Sequence, residues 1–158
     1  MQHLATHLLW FSLLISTLSM AKELKPFNSD GCSAFPEGNF EHNQLWLKCC
    51  VQHDFSYWKG GTFTQRVQAD LELKECVTNV GEPEIALLML AGVRVGGTPF
   101  LPTTFRWGYG WRYPTFYKPL TWEEQQQIQN AIEQLKKQPA NIQPLELQFI
   151  DLKGRTKQ

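Results

Sequence analysis

Neither sign of charge prevails in this chain. Lys and Arg together number 15, and so do Asp and Glu. Without a basic excess there is no electrostatic footprint for DNA or RNA. Nor is there a general pull toward anionic membranes, so contact with lipid would have to rest on apolar or local features. Internal repeats and low-complexity runs are missing as well. Charged residues are 19 % and apolar residues 42 %, an ordinary globular balance that argues against wholesale disorder.

The first 21 residues lack Asp, Glu, Lys and Arg entirely. Residues 8–20 read LLWFSLLISTLSM. That run is short for a membrane span of roughly 20 residues. It has the length of a signal peptide, and the small residues Ser19 and Ala21 suit cleavage after Ala21. His3 and His7 stand where Lys or Arg is usual. The expectation is an exported protein, secreted or periplasmic, with no integral span in the mature chain. Its cysteines should then be paired.

A chain of 158 residues is long enough for one compact domain. Residues 22–138 are expected to form it, with 139–158 as a C-terminal extension holding a strand or an extended docking segment at 145–152 and a basic tail. Residues 22–42 read as loop, because Asp30-Gly31-Cys32-Ser33-Ala34-Phe35-Pro36-Glu37-Gly38 is rich in turn formers. Asn43 is placed to cap a helix over 44–58 that Gly60 and Gly61 stop. Thr62 or Thr64 can cap a second helix reaching Asn79, with Val67, Leu73 and Val77 on one face. So short a connection predicts antiparallel packing. Pro83 suits the first turn of a third helix running to Val95, apolar nearly all round and so bound for the core or a lipid interface. Thr121 and Glu124 form a capping box for a fourth helix with Ile128, Ala131, Ile132 and Leu135 inward, ended by Pro139. The fold class is therefore mainly α.

The informative stretch is Cys49-Cys50-Val51-Gln52-His53-Asp54-Phe55-Ser56-Tyr57. On a helix, Cys49, His53 and Tyr57 share one stripe, and Cys50 and Asp54 share the next. A Cys49–Cys50 bridge would strain the helix, which leaves two pairings open. If Cys50 meets Cys32, the loop around Cys32 is held one turn from Asp54. A carboxylate beside inward-pointing carbonyls is what a hard cation such as Ca²⁺ needs. If Cys49 meets Cys76 on an antiparallel neighbour, Asp70 lies about 9 Å back along it. That puts Asp70 level with a point between His53 and Tyr57. Its place between Val67 and Leu73 makes an unpaired carboxylate costly, and His53 and Tyr57 can supply the hydrogen bonds. A His fixed by one carboxylate beside a second that can hold a cation is hydrolytic machinery for an ester or amide.

These residues resemble the secreted phospholipase A2 family. Its active-site helix carries two adjacent cysteines, then His-Asp after two residues, then Tyr four after the His; here Cys49, Cys50, His53, Asp54 and Tyr57. Its second long helix carries an Asp six residues ahead of a Cys, matched by Asp70 and Cys76. Asp30-Gly31-Cys32-Ser33 with Pro36 and Gly38 is similar to the calcium loop of short microbial members. The likeness covers residues 29–77. Two departures stand out. Ser56 occupies a place where many animal members have Cys, and Ala34, Phe35 and Pro36 replace the Gly-rich loop spacing.

The resemblance implies a mainly α fold with two antiparallel helices bridged by disulfides after a calcium-binding loop. It implies the bridges Cys32–Cys50 and Cys49–Cys76. It further implies Ca²⁺-dependent hydrolysis of the sn-2 ester of glycerophospholipids at a membrane or micelle surface. His53 would be the general base, Asp70 its orienting partner and Tyr57 the support of Asp70. Asp54 would ligate Ca²⁺ with carbonyls near Gly31, Ser33 and Phe35. The alternatives are a catalytically silent lipid- or protein-binding module on the same scaffold, and a cell-envelope protein. A Zn site of Cys49, Cys50 and His53 is unlike the usual spacings. The aromatic belt at 105–117 offers either a membrane interface or plain packing. Arg94, Arg106 and Arg112 offer a phosphate contact or plain surface.

Overall fold

The computed structural model describes residues 22–137. The expected signal peptide, the extended segment at 145–152 and the C-terminal tail lie outside the described residues. Within them stand four helices, α1 Leu47–Lys59, α2 Phe63–Asn79, α3 Pro83–Gly96 and α4 Trp122–Lys137. There is no strand among the described residues, only an isolated bridge between Leu24 and Trp111.

Helix α1 starts three residues later than Asn43 predicts. Its N-cap is Trp46, with no side-chain cap. The chain at 42–47 winds more tightly, with Leu45 N donating to His42 O at 3.2 Å and Leu47 N to Gln44 O at 3.3 Å. Trp46 N instead donates to Glu37 O and its indole to Pro36 O. Burial of Trp46 therefore decides where the helix begins, and the capping preference of Asn43 is overridden. Gly60, at φ 69°, ends the helix in a left-handed conformation that side chains disfavour.

Thr62 caps α2 in a full capping box with Gln65, which selects it over Thr64. The second box, Thr121 with Glu124, opens α4 as the sequence requires. Pro83 sits in the first turn of α3.

Helix α1 is the centre of the molecule, buried on most sides. One face joins Phe27, Trp111 and the α4 residues Ile128, Ile132 and Leu135 in a core. The opposite face joins Leu73 and Val77 of α2 and Ala86 and Met89 of α3 in a second. Cys49–Cys76 joins the start of α1 to the end of α2, so the pair runs antiparallel. Cys32–Cys50 ties the preceding loop to the same helix. Both sulfurs of the Cys49-Cys50 pair are consumed, which removes the Zn alternative.

Residues 107–111 form a plug on the C-terminal end of α1, where helix carbonyls lack partners. Gly108 N donates to Tyr57 O at 2.7 Å and Gly110 N to Trp58 O at 3.2 Å. The indole of Trp111 donates to Lys59 O at 2.8 Å. A side chain at Gly110 would collide with Trp58, which requires glycine there. The aromatic belt thus divides: Trp107 and Trp111 are buried core, while Phe105, Tyr113 and Phe116 are exposed. Helix α3 divides too, burying Ala86 and Met89 and leaving Leu87, Leu88 and Val95 outside.

Candidate active site

Three of the sequence-selected residues meet in one buried cluster. His53 and Tyr57 lie one turn apart on α1, and Asp70 faces them from α2. Asp70 is fully buried. Its Oδ1 takes His53 Nε2 at 3.0 Å and the Tyr57 hydroxyl at 2.6 Å. A carboxylate can only accept, so Nε2 carries the proton and Nδ1 keeps its lone pair. Burial pushes the imidazole below the ordinary histidine value, against the pull of Asp70, and Arg66 lowers it further. His53 is therefore neutral at neutral pH, the form a base requires. Burial, then the charge of Asp70, holds the Tyr57 hydroxyl far above its usual value, so it stays a donor.

The other oxygen of Asp70 faces two arginines, which sequence reasoning did not anticipate. Arg94 Nε approaches Oδ2 to 2.9 Å and Arg66 Nε to 3.9 Å. Neither Arg94 Nε nor Asp70 Oδ2 has a hydrogen-bond partner, so their contact is one of charge. Arg66 is buried, and each of its guanidinium nitrogens is engaged. It donates to the hydroxyls of Tyr57 at 3.1 Å and Tyr117 at 2.6 Å. It also donates to Val93 O at 2.8 Å and Arg94 O at 2.9 Å, at the end of α3. One arginine thus locks α1, α2, α3 and the 117 loop together. Its i,i+4 spacing to Asp70 was a readable signal; the approach of Arg94 from α3 was not.

Asp54, on the neighbouring stripe of α1, points to a different place. Its Oδ2 accepts from Ser29 Oγ at 2.6 Å, and the same hydroxyl oxygen accepts from Gly31 N at 3.1 Å. With Asn28, Asp30, Thr104, Phe105 and Tyr109 it lines a cavity of about 200 Å³. The Tyr109 hydroxyl donates to Asn28 O at 2.6 Å. Burial, then the charges of Asp54 and Asp30, keeps that hydroxyl protonated.

Gly31, Ser33 and Phe35 are not among the residues lining this cavity. Gly31 and Ser33 have positive φ, 75° and 55°. Ser33 Oγ donates to Asp30 Oδ1 at 2.9 Å. Phe35 N closes a turn on Cys32 O, and its ring packs on Trp46. Phe35 thus packs on the second core, while Asn28 and Asp30 line the cavity with Asp54. The cavity's oxygen groups suit a hard cation. Among the described residues no three or more His, Cys, Asp or Glu side chains are grouped so as to hold a metal ion by themselves. A cation here would therefore draw on two carboxylates, backbone or amide oxygens and water. His53 lines a separate cleft of about 50 Å³ with Gln52, Ser56, Ala69 and Glu72. The two cavities share no lining residue.

Arg94 turns inward to Asp70. Arg106 is buried against Trp111 O, and Arg112 is exposed. They do not converge on one anion.

What the structure defines is a mainly helical, doubly disulfide-bridged protein with a buried His–Asp–Tyr cluster and, apart from it, a cavity that Asp30 and Asp54 help to line. No helix among the described residues is long and apolar enough to cross a membrane. Compared with known proteins, the chain matches no family model, no curated protein and no solved structure.

Proposed function

We propose that this protein is an exported, calcium-dependent ester hydrolase of the phospholipase A2 type, acting on the sn-2 ester of glycerophospholipids. The observation that carries the reading is the shared oxygen of Asp70, bound to both His53 Nε2 and the Tyr57 hydroxyl. It sits on a helix pair bridged by Cys49–Cys76, the arrangement that the sequence resemblance implies. Asp70 fixes the His53 tautomer and balances the imidazolium that forms as Nδ1 takes a proton from water. The water oxygen attacks the ester carbon, and the same proton then passes from Nδ1 to the departing alcohol oxygen. Tyr57 and the two arginines hold Asp70 in place during both transfers. Asp54, with Asn28 and Asp30, would hold the Ca²⁺. The bound ion would polarise the ester carbonyl.

A second reading is favoured by one observation. His53 and Asp54 line separate cavities, and neither reaches the roughly 300 Å³ at which ligand pockets begin. A catalytically silent binding module on the same scaffold would need no shared cavity.

The test is fatty-acid release from vesicles labelled at the sn-2 chain, with Ca²⁺ or chelator, for wild type and His53→Gln. Release that needs both Ca²⁺ and His53 is expected. No release from the disulfide-bonded protein across several lipids would overturn the hydrolase and leave the binding module.

A further inference from the structure

From Ile85 to Trp122 the chain contains no Asp or Glu, yet it carries Arg94, Arg106, Arg112 and Lys118. The rest of a neutral chain is therefore acidic. This acid-free stretch also supplies most of the exposed large apolar side chains among the described residues.

Part of it forms a defined cluster. Phe100 packs on Phe116 at 5.5 Å and on Tyr117 at 5.8 Å. Phe63, at the start of α2, meets Tyr117 edge-on at 5.3 Å. Phe63, Phe100 and Phe116 are 56 %, 58 % and 49 % exposed. Half-exposed phenylalanines gain nothing from water, and a monomer rarely groups them without a use.

Cations flank the cluster. Lys22 bonds to Pro114 O and the Thr115 hydroxyl, immediately before Phe116. Lys118 follows Tyr117 and is paired with Glu124. Lys22 lies close enough to Lys118 and Arg106 to feel their charge, with Glu124 the nearby acid. Arg112 is exposed on the same loop. Aromatic side chains flanked by Lys22 and by the exposed Arg112 suit the boundary between acyl chains and anionic head groups. The cluster is also continuous with the candidate site, since Tyr117 receives Arg66, and Arg66 reaches Tyr57.

We infer that Phe63, Phe100 and Phe116, flanked by Lys22 and Arg112, form a docking surface for an anionic phospholipid bilayer. This inference deepens the hydrolase reading but does not depend on turnover. The surface would bring the protein to its substrate by a face outside residues 29–77, the part of the chain that carries the family resemblance.

The experiment is co-sedimentation of the intact protein with phosphatidylglycerol or phosphatidylcholine vesicles, in chelator so that no hydrolysis intervenes. Binding at least tenfold tighter to phosphatidylglycerol is expected. Phe100→Ser with Phe116→Ser should weaken it at least tenfold, and Arg112→Glu severalfold. These side chains are exposed, so circular dichroism should report an unchanged fold. His53→Gln should bind as wild type. No sedimentation of wild type with either vesicle would overturn the inference, as would binding indifferent to the phenylalanines. A dimer that the double substitution dissociates would show that a second copy covers the surface, and would also overturn it. Vesicle binding without turnover in Ca²⁺ would sink the hydrolase alone. Turnover of a dispersed ester without vesicle binding would sink the docking surface alone.

Discussion

A methyl group on Gly97 would lie 2.5 Å from Cε1 of Tyr57 and 2.6 Å from its hydroxyl. The C-cap of α3 therefore presses on the residue that supports Asp70. Gly97→Ala must shift Tyr57 or the end of α3. The expected cost is about 1–3 kcal/mol by urea unfolding. Turnover should fall by about 10- to 100-fold, because displaced positioning groups are felt at the reacting atoms. Unchanged turnover would separate Tyr57 from the chemistry.

Asp70 is the carboxylate on which His53 and Tyr57 converge by hydrogen bonds and two arginines by charge. Asp70→Ala leaves both guanidinium groups without their counter-charge. It should destabilise the fold by about 3–5 kcal/mol, the usual cost of breaking a buried pair. Asp70→Asn retains the shape but can present an N–H to His53. Its turnover should drop about a hundredfold or more, with a smaller loss in unfolding midpoint.

Tyr57 and Tyr109 both have hydroxyls held above the ordinary value of 10.0. Below that value, folded and unfolded chains keep the proton and the stabilisation is complete. Above it the unfolded chain ionises first, so stability falls as pH climbs past 10. Urea midpoints measured from pH 8.5 to about 11 should decline in wild type. Tyr57→Phe and Tyr109→Phe should each flatten the decline. Tyr57→Phe should begin about 1–2 kcal/mol lower, for the hydrogen bonds lost.

If Asp54 holds Ca²⁺, the ion stabilises the folded state by mass action. Calcium at a hundred times its dissociation constant adds about 2.7 kcal/mol, visible as a higher Tm. Asp54→Asn should abolish that shift, and Asp30→Asn should reduce it. Ser33→Ala should leave it intact, because any ligand from residue 33 would be its backbone carbonyl, which the substitution keeps. A calcium shift unaffected by Asp54→Asn would place the ion elsewhere.

The helices were largely legible because their ends carry local chemistry. Capping boxes at Thr62 and Thr121, Pro83 and the Gly60-Gly61 pair act over three or four residues, and so does the spacing that aligns Cys49, His53 and Tyr57. The start of α1 was not legible. Trp46 is drawn into the second core by residues far along the chain, and that burial outweighs the cap at Asn43. The sulfur pairing in the structure is Cys32–Cys50 and Cys49–Cys76, the one the resemblance implied. The meeting of His53, Asp70 and Tyr57 follows from helical register plus that pairing, so it too could be read. Arg94 could not, because its approach depends on how α3 packs on α2. The walls of the Asp54 cavity come from residues 28–30 and 104–109, separated by tens of residues of chain, and no periodicity links them.

The two disulfides overlap in sequence. One closes the chain between Cys32 and Cys50, and the other between Cys49 and Cys76. Every peptide bond from Cys32 to Cys76 is therefore spanned by at least one bridge. A protease that cuts once anywhere in that interval releases no fragment. His53, Asp54, Asp70 and Tyr57 all lie within it. Outside a cell, where reductants are scarce and peptidases are not, a nicked molecule would stay in one covalent piece. On a gel it would reveal the cut only after a thiol is added.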